Sequence, residues 1–299
     1  MGKKRSLYTP RMPPQDTALP SSLATTDDVN LHVAHWPVPS PQGVVQTLHG
    51  LGEYQGRFDR LARVLNAAGW AVAGIDHRAH GRSGGERGVI PNPQELLNDH
   101  ASLHDQLSRH YRRLPHVFLG SSFGGLLAAQ FATALSRQAP AVPWARPTDG
   151  VVLLAPALVP TLPGPQSATM SVLYRLVPDL PVSLAYMQSW GNSDPAVLAA
   201  KRADPLMHTR LTPRTCHFMM QTARQVLEHS GDDWTVPTLL SFTDLDRLVP
   251  GEACARFAER LPPGLLRTIR YKDMAHDLLH EPCADDLNQQ IVAWLDAIR

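Results

Sequence analysis

Residues 116–127 read HVFLGSSFGGLL, and within them Gly120-Ser121-Ser122-Phe123-Gly124 joins an apolar strand directly to an apolar helical run. That is the context of a nucleophile elbow, where a strained strand-to-helix turn projects a serine hydroxyl from the sheet edge. Ser122 is the candidate nucleophile. Gly120 and Gly124 are the small residues that let strand and helix close around it. The bland alternative is a flexible Gly-Ser turn, but Phe123, Leu126, Leu127, Phe131 and Leu135 follow at helical spacing and favour the elbow.

A serine hydroxyl is a poor nucleophile until a base takes its proton and a carboxylate orients that base, so the chain should supply an acid and then a histidine further on. Asp244 and Asp246 follow the apolar run 237–242, and His276 follows the run 265–269 across a short loop. Asp246 is preferred over Asp244 because Leu248-Val249-Pro250 anchors it before the next helix. His276 could instead be one surface-loop histidine among the chain's 14. Its place in the Ser, acid, His order speaks for a role in chemistry. The developing oxyanion needs two N–H donors. Phe123 offers one at the head of its helix, and Leu51 offers the other, with Gly50 and Gly52 letting the backbone turn inward after the strand that ends at Leu48. A tight turn at 49–52 with no further role is the competing reading.

These residues must be held by a βα series. Strands are expected at 30–36, 43–48, 70–75, 116–119, 151–154, 237–242 and 265–269. Helices are expected around 58–65, 95–113, 253–261 and 287–298. The continuous apolar character of 151–154 suits a parallel sheet covered on both faces. The rhythm is suspended from Ala157 to Asp233, where prolines divide short apolar pieces carrying Met170, Leu173, Leu176, Leu184, Met187 and Trp190. An excursion this apolar fits a helical cap over the C-terminal edge of the sheet, where open α/β sheets bind ligands. The expected organisation is thus a loose leader over 1–24, a core over 25–156 and 234–299, and a cap (lid) over 157–233.

At 299 residues and 43% hydrophobic content the chain can bury a large core. Its net charge of +1 arises from 28 basic and 27 acidic residues mixed throughout, which gives no footprint for nucleic acid. Cys216, Cys254 and Cys283 lack metal-ligand spacing and read as reduced thiols of a cytoplasmic protein. No apolar run reaches the ~18 residues of a membrane span, and the N-terminus has no signal-peptide core. Met1-Gly2-Lys3-Lys4-Arg5-Ser6 formally matches an N-acylation pattern, but so short a match arises easily. Asp76, His77, Arg78, His80 and Arg82 crowd one junction and read as a charge-paired structural loop, since the two arginines oppose a cation.

The chain resembles the monoacylglycerol lipase and lysophospholipase branch of the α/β-hydrolases, grouped with serine aminopeptidase-like hydrolases. The resemblance rests on His49-Gly50-Leu51-Gly52-Glu53-Tyr54, on residues 76–85, on the elbow, on Asp204-Pro205-Leu206 and on the surroundings of Asp246 and His276. It spans roughly residues 28 to 298. It implies an α/β-hydrolase fold with an inserted helical cap, Asp246 and His276 as triad partners, Leu51 and Phe123 as oxyanion donors, and an acyl pocket under the cap. Ser121 and Phe123 stand where such enzymes usually have His and Met. Phe242 and Thr243 also depart from the pattern before the acid, and Asn192-Ser193-Asp194-Pro195 lacks its arginine.

The expected function is hydrolysis of a monoacylglycerol, lysophospholipid or related acyl ester through an acyl-enzyme on Ser122, with neither cofactor nor metal implied. A short- or medium-chain carboxylesterase and an aminopeptidase or amidase share the same catalytic parts. A non-catalytic ligand-binding protein is the alternative outside enzymology. The expected partner is a small acyl ester or lipid, with transient contact to a membrane surface through the cap. Nothing in the sequence fixes an oligomeric state.

Overall fold

The computed structural model describes residues 19–136, 141–159, 164–231 and 233–298. Among the described residues, ten strands and eight α-helices follow one another. They are β1 (Ser22–Ala24), β2 (Asn30–Trp36), β3 (Gly43–Leu48), α1 (Asp59–Ala67), β4 (Trp70–Ile75), α2 (Glu95–His110), β5 (His116–Ser121), α3 (Phe123–Thr133), β6 (Gly150–Leu154), α4 (Gly164–Leu176), β7 (Val182–Ser183), α5 (Pro195–Ala203), β8 (Arg210–Leu211), α6 (Pro213–Glu228), β9 (Thr238–Thr243), α7 (Gly251–Arg260), β10 (Leu266–Tyr271) and α8 (Ala284–Ala297).

Eight strands form one sheet in the order β1-β2-β4-β3-β5-β6-β9-β10. From β4 to β10 every pairing is parallel, whereas β2 runs antiparallel to both β1 and β4. The period of two sorts each apolar run between the two faces. Val117, Leu119, Val152 and Leu154 pack toward α1 and α8, while Phe118, Val151 and Leu153 pack toward α3 and α7. Covering both faces explains why these strands read as unbroken apolar runs. Small residues let α3 sink into this structure so far that all of its side chains from Phe123 to Thr133 are buried.

The chain leaves β3 toward β4 on one side and β5 lies on the other, with Leu48 paired to Gly120. A crevice opens at such a reversal of strand order, beyond the strand ends. The elbow after β5 and the glycines after β3 both fall there.

Some boundaries differ from the sequence reading. The leader does not extend to residue 24: Ser22–Ala24 form β1, because Leu23 turns inward onto Leu31 and Val33. The acylation pattern at Gly2 and residues 1–18 of that leader lie outside the described residues. α2 ends at His110, three residues early, and β10 continues to Tyr271 because Arg270 and Tyr271 still pair with Phe242 and Thr243 of β9. β10 is an edge strand, and its exposed Arg267 and Arg270 discourage further pairing. Among the described residues, the regular structure of the insertion between β6 and β9 is α-helical apart from a two-residue antiparallel contact of β7 with β8 and a 3-10 turn at Ala185–Trp190. Among the described residues, no helix is long and apolar enough to cross a membrane.

Candidate active site

Ser122 sits at φ 55°, ψ −115°, a backbone conformation that side-chain-bearing residues rarely adopt. Three hydrogen bonds hold it there: its N–H donates to Leu154 O, and its carbonyl accepts from the N–H groups of Leu126 and Ala157. The neighbouring glycines are a steric requirement. A Cβ on Gly120 would lie 2.1 Å from Gly124 O, and one on Gly124 would lie 2.0 Å from Leu48 O. The elbow therefore exists only where strand, helix and the neighbouring strand end can touch backbone to backbone.

His276 lies in the loop after β10 and Asp246 in the loop after β9. Nδ1 of His276 is 2.6 Å from Asp246 Oδ2. The other oxygen, Oδ1, accepts the N–H groups of Leu248 and Val249 at 2.8 Å each, so the carboxylate is fixed by the segment that the sequence reading invoked as its anchor. Asp244 is instead tied to Arg270 at the surface, 2.6 Å from its Nε. Burial would lower the His276 pKa, but the Asp246 charge and hydrogen bond outweigh it and the net shift is upward. With Nδ1 committed to Asp246, Nε2 is the ring nitrogen left for proton transfer. Ser122 and His276 line the same cavity without a direct hydrogen bond between them. Such contacts commonly tighten only when substrate arrives.

Gly50 and Leu51 line this cavity as well, and a Cβ on Gly50 would stand 3.5 Å from Ser122 Cβ. Gly52 has φ 74°, and its missing Cβ makes room for His208 O, 2.0 Å from where that Cβ would be. The N–H groups of Leu51 and Phe123 make no hydrogen bond to another described group. The Phe123 ring, where a methionine would be usual, stands edge-on against His77 at 5.8 Å between centroids.

The cavity encloses about 300 Å³. Met187, Met207, Leu211, Met219 and Met220 from the insertion give it an apolar wall. At its polar end stand Lys201, Glu53 and Asp277, with Arg57 behind them, a charged group that sequence reasoning missed. Lys201 Nζ of α5 lies 3.0 Å from Glu53 Oε1 and 2.9 Å from Asp277 Oδ2, while Arg57 lies 2.8 Å from the same Asp277 oxygen. His280 closes the group, 2.8 Å from Asp277 Oδ1. Burial alone would raise both carboxyl pKa values and lower that of the lysine. Their mutual charges prevail, holding Glu53 and Asp277 below and Lys201 above their ordinary values. The only signal available earlier was the proximity of Glu53 and Asp277 in sequence to the glycine loop and to His276.

Two departures from the expected pattern have structural uses. Thr243 Oγ1 donates to Met274 O, tying the acid loop to the histidine loop. In the Asn192–Pro195 segment, Ser193 bonds Glu281 through both N–H and hydroxyl, Asn192 bonds His280 O, and Asp194 caps α5. The charged groups of the junction at 76–85 are tied largely to its surroundings: Asp76 accepts the Gln55 and Arg82 N–H groups, and Arg78 bridges Asp99 and Asp27.

A doubly covered, mostly parallel sheet, a strained serine at its switch point and a buried Asp–His pair beside one cavity define an α/β-hydrolase of the serine type. The family model for serine aminopeptidase, S33 (Hydrolase_4) matches residues 39–283, and the chain belongs to that family. It is 29% identical over 279 residues to a monoacylglycerol lipase of Mycolicibacterium smegmatis, covering 92% of this chain and 95% of that protein. To the Homo sapiens monoglyceride lipase it is 29% identical over 309 residues, covering 96% and 94%. The crystal structure of the Paleococcus ferrophilus monoacylglycerol lipase superposes with TM-score 0.76 at 25% identity, over 90% of this chain and 99% of that one.

Proposed function

We propose that the protein hydrolyses monoacylglycerols, with Ser122 as nucleophile, His276 as general base and Asp246 as the group that orients it. Ser122 Oγ attacks the ester carbonyl while Nε2 of His276 takes its proton. The oxyanion is received by the N–H groups of Leu51 and Phe123, each worth about 3 kcal/mol of transition-state stabilisation. His276 then protonates the leaving glycerol oxygen, and water, deprotonated by the same nitrogen, releases the fatty acid from the acyl-enzyme.

The observation that carries this reading is the cavity that Ser122 and His276 share, apolar along the insertion and polar beside His276. An acyl chain suits the methionine and leucine wall. The polar end suits a neutral hydroxylated head, because Lys201 and Arg57 are already paired with carboxylates and, among the described residues at that end, leave no free lysine or arginine for a phosphodiester. We read residues 157–233 as a cap on a core of residues 25–156 and 234–299. Its exposed Val172, Leu176, Val177 and Leu180 are an apolar surface for transient contact with lipid aggregates, consistent with a cytoplasmic enzyme peripheral to a membrane.

A single panel tests the proposal: monoacylglycerols and p-nitrophenyl esters from acetyl to palmitoyl, lysophosphatidylcholine and aminoacyl amides, ranked by kcat/KM. Each buried CH₂ contributes about 0.8 kcal/mol, so kcat/KM should rise about fourfold per carbon until the pocket is full. A maximum at acetyl or butyryl without monoacylglycerol turnover would replace the proposal with a short-chain carboxylesterase.

A further inference from the structure

We propose that Lys201 is an internal ammonium ligand: its Nζ fills, between Glu53 and Asp277, the position a substrate amine would occupy, so the site excludes amine-bearing substrates by plugging its own cation site. The inference rests on the cavity of the proposed function, and it names a determinant of specificity there.

The geometry is that of a bound amine. Nζ lies 3.0 Å from Glu53 Oε1 and 2.9 Å from Asp277 Oδ2, and the lysine side chain is only 14% exposed. All three residues line the cavity that holds Ser122 and His276. Both carboxylates belong to the reacting centre by chain position: Asp277 follows His276, and Glu53 lies three residues beyond Gly50, whose absent Cβ would be 3.5 Å from Ser122 Cβ. Both acids come from the sheet's loops, while the ammonium comes from α5 of the insertion, so the pairing crosses between the two parts of the chain.

Charge balance requires an occupant. Among the described residues, Arg57 is the other full cation paired to this acid pair, 2.8 Å from Asp277 and 3.8 Å from Glu53. Removing the lysine leaves one guanidinium for two carboxylates, Asp277 buried and Glu53 only 16% exposed, and an uncompensated charge so poorly hydrated is unfavourable. Tethering gives Lys201 an effective concentration that a free amine does not reach. An amino-bearing ester or peptide must therefore displace the chain's own lysine, whereas a neutral glycerol head does not. In this member of a family described as serine aminopeptidases, the acidic residues that could receive an α-amino group are already occupied.

The test is K201A. Truncation to alanine removes three methylenes and the ammonium, the outline of n-propylammonium. Added n-propylammonium chloride should raise the thermal transition of K201A saturably and increase its kcat/KM on p-nitrophenyl octanoate by about tenfold or more, as re-pairing of buried carboxylates demands. Neither sodium chloride nor n-propanol should do so, and wild type should not respond. In K201A the kcat/KM ratio of an amino-alcohol ester to its neutral isostere should shift toward the amine by a similar factor. Adding E53Q to K201A should weaken the response. If K201A does not fold alone, its folding in propylammonium but not in sodium is the same expected rescue. No saturable response, an equal response to propanol, or no recovery of fold would each overturn the proposal. The thermal readout needs no turnover, so binding by a variant of an enzyme lacking ester activity would leave the plug standing and sink the ester reading instead.

Discussion

Mild acid should unfold this protein through its histidines before its carboxylates are touched. His49, His77, His80, His100 and His116 are buried, and burial, the largest cause in each case, holds all five pKa values well below 6.5. Several are locked as neutral rings. His49 Nε2 accepts the backbone N–H of His77, His77 Nδ1 meets His100 Nε2 at 3.0 Å, and His100 Nδ1 meets Gln46 Nε2 at 3.4 Å. A folded-state pKa below the unfolded value means that the unfolded chain binds more protons, so stability is present above about 6.5 and is lost as pH falls below it. One pH unit below that value, each neutral imidazole costs about 1.4 kcal/mol of stability, or about 7 kcal/mol for the five. Typical domains have only about 5–15 kcal/mol in total. His276, whose pKa is raised, opposes the trend as a single group and offsets part of it. Urea unfolding followed by circular dichroism at about pH 7.5, 6.5 and 5.5 reads this directly, in a window above carboxylate titration. A loss smaller than about 2 kcal/mol across that range would mean that the rings accept protons in place, and the reasoning would fail.

The Asp246 and Asp244 assignments separate cleanly: D246N should lower kcat by several orders of magnitude by releasing His276 from its orientation, while D244N, which loses a surface partner of Arg270, should stay within about twofold in ester hydrolysis. Because a neutral His276 is required and its pKa is raised, the acid limb of kcat/KM should have its midpoint above about 6.5, measured with a substrate that does not titrate. G124A places a methyl 2.0 Å from Leu48 O and should destabilise the fold by about 3 kcal/mol or more in denaturant titration; a loss below 1 kcal/mol would show that the elbow can spread.

What the sequence disclosed followed from how local the constraint was. The elbow was legible because its glycines, its strand and its helix are contiguous, and steric closure there involves neighbours in the chain. The central strands were legible because burial on both faces leaves an unbroken apolar run. β1 escaped notice because three residues carry almost no pattern, and only the inward turn of Leu23 makes them a strand. The end of β10 was misjudged because an edge strand is held by backbone pairing and not by apolar side chains. The charged group around Lys201 was illegible for a different reason: its members come from residues 53–57, 201 and 277–280, and no spacing rule connects them. The buried imidazoles were hidden in the same way, since 14 histidines scattered along a chain give no hint of which share an interior.

The complete burial of α3 ties the serine's mobility to the whole domain. Its amide protons exchange with solvent only when the sheet itself opens, so the elbow belongs to the last cooperative unit to yield. The insertion touches solvent widely and can loosen first, changing which esters gain entry while Ser122 keeps its strained turn. On heating, access and selectivity should drift well before catalytic capacity is lost. That loss should coincide with global unfolding, because the strand, the helix and their shared serine are released together only when the sheet itself opens.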